Sequence, residues 1–130
     1  MEAKKLRIGN WVQDEHGIAQ YVYRLWKGGA ELAEDENGGD DLDYTEDEIF
    51  GIPINEEWLL KFGFKDISNS VERRFIKDNF NWYSSSNEVV VELDNGLNGY
   101  DLWTDCKHVH ELQNLFFAIT GEELQFENVS

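Results

Sequence analysis

Cysteine and proline are almost missing from this chain of 130 residues, which contains one of each. A single cysteine, Cys106, excludes an intrachain disulfide, so packing and hydrogen bonds must hold the fold, as is usual in a reducing compartment. No apolar run reaches the ~18 residues that a membrane-spanning helix needs. No apolar segment follows the early lysines as it would in a signal peptide. These absences predict a soluble, cytoplasmic protein without a membrane partner.

Basic residues are also scarce. The chain has 11 lysines and arginines against 27 aspartates and glutamates, a formal net charge of −16. Such a surface repels the phosphate backbone, so we expect no direct contact with nucleic acid and a basic protein surface as the partner. Charge that serves only solubility is the simpler interpretation, and net charge taken alone favours it.

The residues that are abundant predict an α+β fold with two parts. Residues 1–52 predict a small SH3-like β-barrel, because short strands alternate with glycine-containing turns. Residues 53–130 predict an α+β subdomain with a short helix over 55–62, a β-meander over 80–103 and a second helix over 105–120 that packs on the meander. With 41% hydrophobic residues, the two parts can form one compact unit.

The second helix has the clearest periodicity in the chain. Large apolar residues recur at spacings of three and four, which puts them on one face. Asp105 is a suitable N-cap, and Gly121 can end the helix in the left-handed conformation. The predicted core residues of this helix are Val109, Leu112, Leu115, Phe116 and Ile119.

The stretch over residues 34–48 is the most acidic segment, with nine carboxylates in fifteen residues. Self-repulsion and two glycines favour a mobile loop. A calcium-loop interpretation fails, because the position that requires glycine is occupied by Asp40. The segment therefore predicts a docking surface for a basic partner. Its candidate partner-binding residues are Asp35, Glu36, Asp40, Asp41, Asp43, Glu46, Asp47 and Glu48.

Three blocks of sequence resemble one family. They are LRIGNWV over 6–12, IPINEEWLLKFGF over 52–64 and VHELQNLFFAITGEEL over 109–124. Together they resemble small uncharacterised proteins from gut bacteroidete chromosomes, prophages and phages. The usual members have Leu-Thr where this chain has Ile54-Asn55, and Gln in place of Glu111. The resemblance implies a phage or mobile-element setting, and it implies no catalytic residue.

No motif in the chain predicts chemistry. Cys106, His108 and His110 have the spacing C-x-H-x-H, but a zinc site needs further ligands and His16 is the only other histidine. Asp94, Asn98, Asp101 and Asp105 surround hairpin turns that themselves favour Asp and Asn. Phosphate-binding loops and nucleophile motifs are missing from the sequence. We therefore predict no catalytic residue, no metal site and no cofactor.

The leading hypothesis is a non-enzymatic accessory protein that binds through its acidic surface. A sharper version is a nucleic-acid mimic that inhibits a DNA-binding host protein. Two alternatives stay open at this point. One is a divalent-metal-dependent module or enzyme that uses Asp and Glu clusters, and the other is a structural subunit of a larger assembly.

Overall fold

The computed structural model describes residues 1–38, 42–84, 88–93 and 100–126, which form an α+β fold with two antiparallel sheets and two α-helices. The chain divides into two compact units. Unit 1 comprises Met1–Pro53 and His108–Glu123, and unit 2 comprises Ile54–Lys107 and Leu124–Ser130. The chain first passes from unit 1 to unit 2 between Pro53 and Ile54. The second helix, however, belongs to unit 1.

Unit 1 is built on a four-stranded antiparallel sheet in the order β1-β2-β3-β4. Its strands are β1 (Trp11–Gln13), β2 (Ala19–Trp26), β3 (Gly29–Ala33) and β4 (Leu42–Thr45). The turn between β2 and β3 has two residues, and Gly28 within it has φ +97, the left-handed conformation that tight hairpins require. The sheet is not closed by pairing of its first and last described strands, so the predicted SH3-like barrel is not confirmed.

The central cluster of unit 1 is aliphatic. It is formed by Leu6, Val12, Val22, Ala30, Leu32 and Ile49. The content of aromatic residues, 14% of the chain, predicts an aromatic core. In unit 1 the half-buried Tyr44 instead packs against the cluster from its border. Trp11 and Tyr21 meet edge to face at 5.5 Å between ring centroids.

Helix α2 (Val109–Thr120) starts four residues later than predicted, because the preceding strand continues to Asp105. Gly121 ends it at φ +75, as predicted, and its N–H donates to the Phe117 carbonyl at 2.8 Å. Three predicted core residues, Val109, Leu112 and Phe116, are buried, and the other two, Leu115 and Ile119, are half-buried.

The structure groups helix α2 with unit 1, where it contacts β1, whereas the sequence predicted packing on the meander. The contact that fixes it is polar. The Gln113 side chain accepts from the Trp11 N–H at 2.8 Å and donates to the Gly9 carbonyl at 2.9 Å. Gln113 is 2% exposed. Its amide group thus forms the hydrogen bonds beside β1 that the backbone of a neighbouring strand would otherwise form.

Unit 2 begins with helix α1 (Glu56–Lys61), which agrees with the predicted helix over 55–62. Asn55 caps it by accepting from the Trp58 N–H at 3.0 Å. A five-stranded antiparallel sheet follows in chain order, made of β5 (Lys65–Asp66), β6 (Arg74–Lys77), β7 (Phe80–Tyr83), β8 (Glu88–Leu93) and β9 (Tyr100–Asp105). The meander is therefore present, with two additional strands before it that were not predicted.

Candidate functional site

The acidic segment of unit 1 is ordered in its described parts. Asp35 accepts from the Asn37 N–H at 2.8 Å, and the Gly38 N–H donates to the Asp35 carbonyl at 3.1 Å, which forms a tight turn. Leu42–Thr45 then pairs with β3 as strand β4 at the edge of the sheet, and Glu46–Glu48 forms a 3₁₀ turn. Residues 42–45 of the predicted loop thus form an edge strand, and residues 46–48 form a turn after it. Asp40 and Asp41 lie outside the described residues.

Two of the predicted partner-binding carboxylates stabilise this local structure. Glu46 accepts from the Ala3 N–H at 2.7 Å. Glu48 accepts from both the N–H and the hydroxyl of Thr45 at 3.0 Å, which completes a capping box. The bonds from the Thr45 backbone and side chain lower the pKa of Glu48. Both carboxylates therefore serve the fold.

Five other carboxylates of the segment are exposed, and we call them the acidic edge. No described lysine or arginine forms an ion pair with any of them. The acidic edge consists of Glu34, Asp35, Glu36, Asp43 and Asp47. Their side chains are therefore open to solvent.

Other acidic groups of unit 1 add to the same field. Burial raises the pKa of Tyr21, and the nearby charges of Glu36 and Glu123 raise it further. Glu36 precedes β4, whereas Glu123 follows helix α2. Carboxylates from distant parts of the chain therefore act on one tyrosine.

The pKa of Tyr44 on β4 is also raised by nearby carboxylates. Burial raises its pKa, and the charges of Asp14, Glu48 and Glu15 add to the shift. Counted by sequence, unit 1 holds 16 of the 27 acidic and 5 of the 11 basic residues, a formal net charge of −11. Most of the negative charge of the protein thus belongs to the unit that carries the acidic edge.

The histidines near the start of α2, which the sequence offers only as part of an incomplete zinc-site pattern, form a second unusual group. His110 is 5% exposed, and its Nδ1 has no hydrogen-bond partner among the described residues. Its ring stacks on His108 at 5.6 Å, and both rings lie against Gly51, where a Cβ would come within 2.7 Å of His108. The His108 Nδ1 meets a carboxylate oxygen of Glu111 at 2.5 Å.

This histidine group does not resemble a metal centre. Among the described residues, no set of three or more His, Cys, Asp or Glu side chains is placed to hold a metal ion. Cys106 is a buried free thiol, and it belongs to unit 2, whereas His108 and His110 belong to unit 1. Asp94 and Asn98 of the considered oxygen cluster lie outside the described residues.

Unit 1 also has an open cleft of about 580 Å³ beside the β2–β3 hairpin. Its lining combines carboxylates, ammonium groups and one indole: Glu2, Ala3, Lys4, Leu25, Trp26, Lys27, Gly28 and Glu46. The Glu46 carboxylate is already bonded to Ala3, and Lys4 pairs with Glu2 at 3.5 Å. Lys4 and Glu2 therefore neutralise each other and Glu46 is held by the backbone, and the rest of the lining indicates no particular ligand.

Comparison with known proteins gives no further constraint. No protein-family model, no curated protein and no solved structure matches the chain. Among the described residues, no helix combines the length and apolar character needed to cross a bilayer. Function must therefore be inferred from the residues and their geometry.

Proposed function

We propose that this chain is a non-enzymatic binding protein whose acidic edge docks on a basic surface of another protein. The observation that carries the proposal is the set of five exposed carboxylates with no described ion-pair partner, on backbone ordered by β4 and its flanking turns. Ordered backbone matters because a partner then spends little free energy on fixing the charges in place.

The charge distribution supports the same proposal. An excess of one sign over a surface raises the association rate with an oppositely charged protein and orients the encounter. Unit 1, at −11, provides such an excess around the acidic edge. Short-range pairing of Asp43 or Asp47 with lysine and arginine would then fix the register of the complex.

The sharper form of the proposal is nucleic-acid mimicry. The partner would be a DNA-binding protein whose phosphate-binding lysines and arginines accept carboxylates instead. The resemblance of the three sequence blocks to phage and mobile-element proteins supports this setting, since such elements meet host DNA-binding proteins in the cytoplasm. A cytoplasmic location is part of the proposal, and the single cysteine supports it.

The test compares two variants with the same net charge. The edge variant combines Glu34→Gln, Glu36→Gln, Asp43→Asn and Asp47→Asn. The control variant neutralises four exposed carboxylates elsewhere, by Glu57→Gln, Asp78→Asn, Asp105→Asn and Glu122→Gln. Each immobilised protein is exposed to bacterial lysate at about 0.05 M and about 0.5 M salt, and the captured proteins are identified by mass spectrometry.

We expect the wild type and the control variant to capture a basic DNA-binding protein at low salt and to release it at high salt. Added duplex DNA should compete with the capture if the acidic edge mimics nucleic acid. The edge variant should capture little. Equal capture by the edge and control variants would refute docking through the acidic edge, and capture that DNA does not reduce would refute mimicry alone.

A further inference from the structure

The outer strand of the unit 1 sheet, β4, has an open backbone edge. Within the part of the chain that the structure describes, β4 pairs with β3 alone. The Glu46 N–H donates to the Gly28 carbonyl at 3.1 Å, one step beyond the pairing of Thr45 with Gly29. Bonded and unbonded pairs alternate along an antiparallel ladder, so Thr45 directs its backbone groups away from β3. The Thr45 N–H agrees with this orientation, because it donates to the Glu48 carboxylate and not to β3.

Asp43 provides the free hydrogen-bonding groups of this edge. It lies two residues before Thr45 and therefore has the same backbone orientation. Its N–H and C=O point away from β3, and neither has a hydrogen-bond partner among the described residues. An exposed strand edge with free backbone groups is a template on which another strand can pair.

The core-facing side of the sheet is also left uncovered at β4. Leu42 pairs directly opposite Leu32, so the two side chains point to the same face. Leu32 is 1% exposed within the central cluster, whereas Leu42 is 60% exposed. A further strand beside β4 would place a side chain next to Leu42 and bury it.

The other face of β4 carries negative charge without a balancing cation. Asp43 lies directly opposite Glu31, and like charges in this position repel. Arg24 pairs with Glu31 at 3.3 Å, while no described lysine or arginine pairs with Asp43. A lysine or arginine on the open side of Asp43 would offset the repulsion, whereas a second copy of β4 would bring further carboxylates there. The charge therefore favours a basic strand as the neighbour of β4.

We propose that β4 accepts an extended segment of the partner protein as a fifth strand, and that this segment has lysine or arginine at every second position and apolar residues between them. The basic side chains lie beside Asp43 and the apolar ones beside Leu42, because successive side chains of a strand point to opposite faces. Backbone hydrogen bonds provide affinity, and the alternating side chains provide specificity. This inference rests on the docking function proposed above and names the element of the partner that docks.

The probe is the peptide KVKVKVK, capped at both ends and titrated into the full chain at about 0.05 M salt. Two derivatives have the same charge: one is N-methylated on the backbone of every lysine, the other on the backbone of every valine. In an antiparallel strand the lysine opposite Asp43 donates its N–H to β4, whereas the valines direct theirs to solvent. The lysine-methylated peptide should therefore bind at least about fivefold more weakly than the unmodified peptide, and the valine-methylated one about equally well.

Weaker binding of one methylated peptide alone would support the fifth strand, and a parallel strand would exchange the two derivatives. Binding that neither methylation weakens, or that both abolish, would overturn it, as would a failure of KVKVKVK to bind. If the edge variant loses all binding and methylation has no effect, the acidic edge docks by charge alone. The proposed function would then stand, and only the fifth strand would be wrong.

Hydrogen exchange of the Asp43 amide gives a second measurement on the unchanged chain. Pairing with KVKVKVK should slow this exchange in proportion to the bound fraction, by about tenfold when nine-tenths of the protein is bound. The Tyr44 amide is the internal control, because the ladder already directs it to β3. Exchange of Asp43 that stays unchanged in the bound protein would show contact through side chains only and would overturn strand addition.

Discussion

The buried imidazole of His110 predicts that the protein loses stability as the pH falls below neutrality. His110 is 5% exposed and its Nδ1 has no described hydrogen-bond partner, so a proton there would bring a charge into a site without an acceptor. Burial lowers the pKa of His110 from 6.5 to about 4. The charge of Glu111 opposes this shift, while those of His108, Lys5 and the amino terminus add to it.

The direction in which the free energy of unfolding changes with pH follows from proton binding in the folded and unfolded states. Between pH 6.5 and about pH 4 the unfolded chain binds a proton at this residue and the folded chain does not, so the free energy of unfolding rises with pH. The contribution of His110 is complete above pH 6.5, falls through this window, and changes no further below about pH 4. It amounts to about 3 kcal/mol in full, of which about 2 kcal/mol is lost at pH 5.

The assay is a series of urea unfolding curves between pH 7.5 and pH 5 for the wild type and for His110→Gln. Glutamine does not titrate, so the variant should show a much smaller loss of unfolding free energy on acidification, whatever its stability at pH 7.5. His16→Gln is the matched control, because it makes the same substitution at an exposed histidine. Identical slopes for the wild type and His110→Gln would refute the reasoning.

The effect of Asp14 on the free energy of unfolding falls outside the pH range of this measurement. Its burial alone would raise the pKa of the carboxyl group, but hydrogen bonds from the Ile18 N–H, the Gln20 side chain and the His16 N–H outweigh burial and lower the pKa from 3.8. The stability that Asp14 contributes is therefore present above pH 3.8 and is lost only as the pH falls through its lower folded-state pKa. That range lies below the window of His110.

Three further predictions concern stability, and each is measured by urea unfolding at pH 7.5. Gln113→Ala removes two hydrogen bonds between a buried side chain and partly buried backbone and should cost about 2–3 kcal/mol, whereas the exposed control Gln125→Ala should change stability by less than about 0.5 kcal/mol. Asn55→Ala removes the cap of α1 and should cost about 1 kcal/mol; an unchanged midpoint would contradict the capping role. Glu48→Gln should destabilise the protein, because the amide is a weaker hydrogen-bond acceptor for Thr45 than the carboxylate is. Asp43→Asn should be neutral or stabilising, because it relieves repulsion between carboxylates. The reverse order of stability would show that the two carboxylates have been assigned the wrong roles.

Local signals in the sequence were sufficient for the presence of both helices and for two of their ends, but not for the start of α2 or for its packing. Asn55 and Gly121 mark helix ends by side-chain and backbone chemistry that acts within a few residues, so these ends were predictable. The apolar face of α2 was also visible, but periodicity does not reveal which sheet covers a face. The hydrogen bonds of the buried Gln113 determine that α2 packs beside β1. Nothing in the sequence marks this polar residue as the partner of a β-strand.

The strands were also only partly predictable from the sequence. β6 was hidden because Arg74 and Lys77 flank its apolar residues, and a half-exposed strand resembles a polar loop. The acidic segment was interpreted as mobile because its charges repel, yet pairing of β4 with β3 overrides that local tendency. Whether the first sheet closes into a barrel could not be predicted from the sequence, since closure depends on how strand tilt and stagger bring the first and last strands together.

The arrangement of charge in unit 1 separates the two interpretations that the composition left open. Three of its five cations are already paired, Lys4 with Glu2, Arg7 with Glu123 and Arg24 with Glu31, and none of these pairs involves the acidic edge. If negative charge served solubility alone, any four carboxylates would be equivalent, and neutralising either matched set would have the same effect. If the acidic edge is a docking surface, location decides, because a partner's lysines and arginines gain only from carboxylates held at the contact. The two interpretations therefore differ in a measurable way, and the unpaired carboxylates beside β4 are where that difference must be largest.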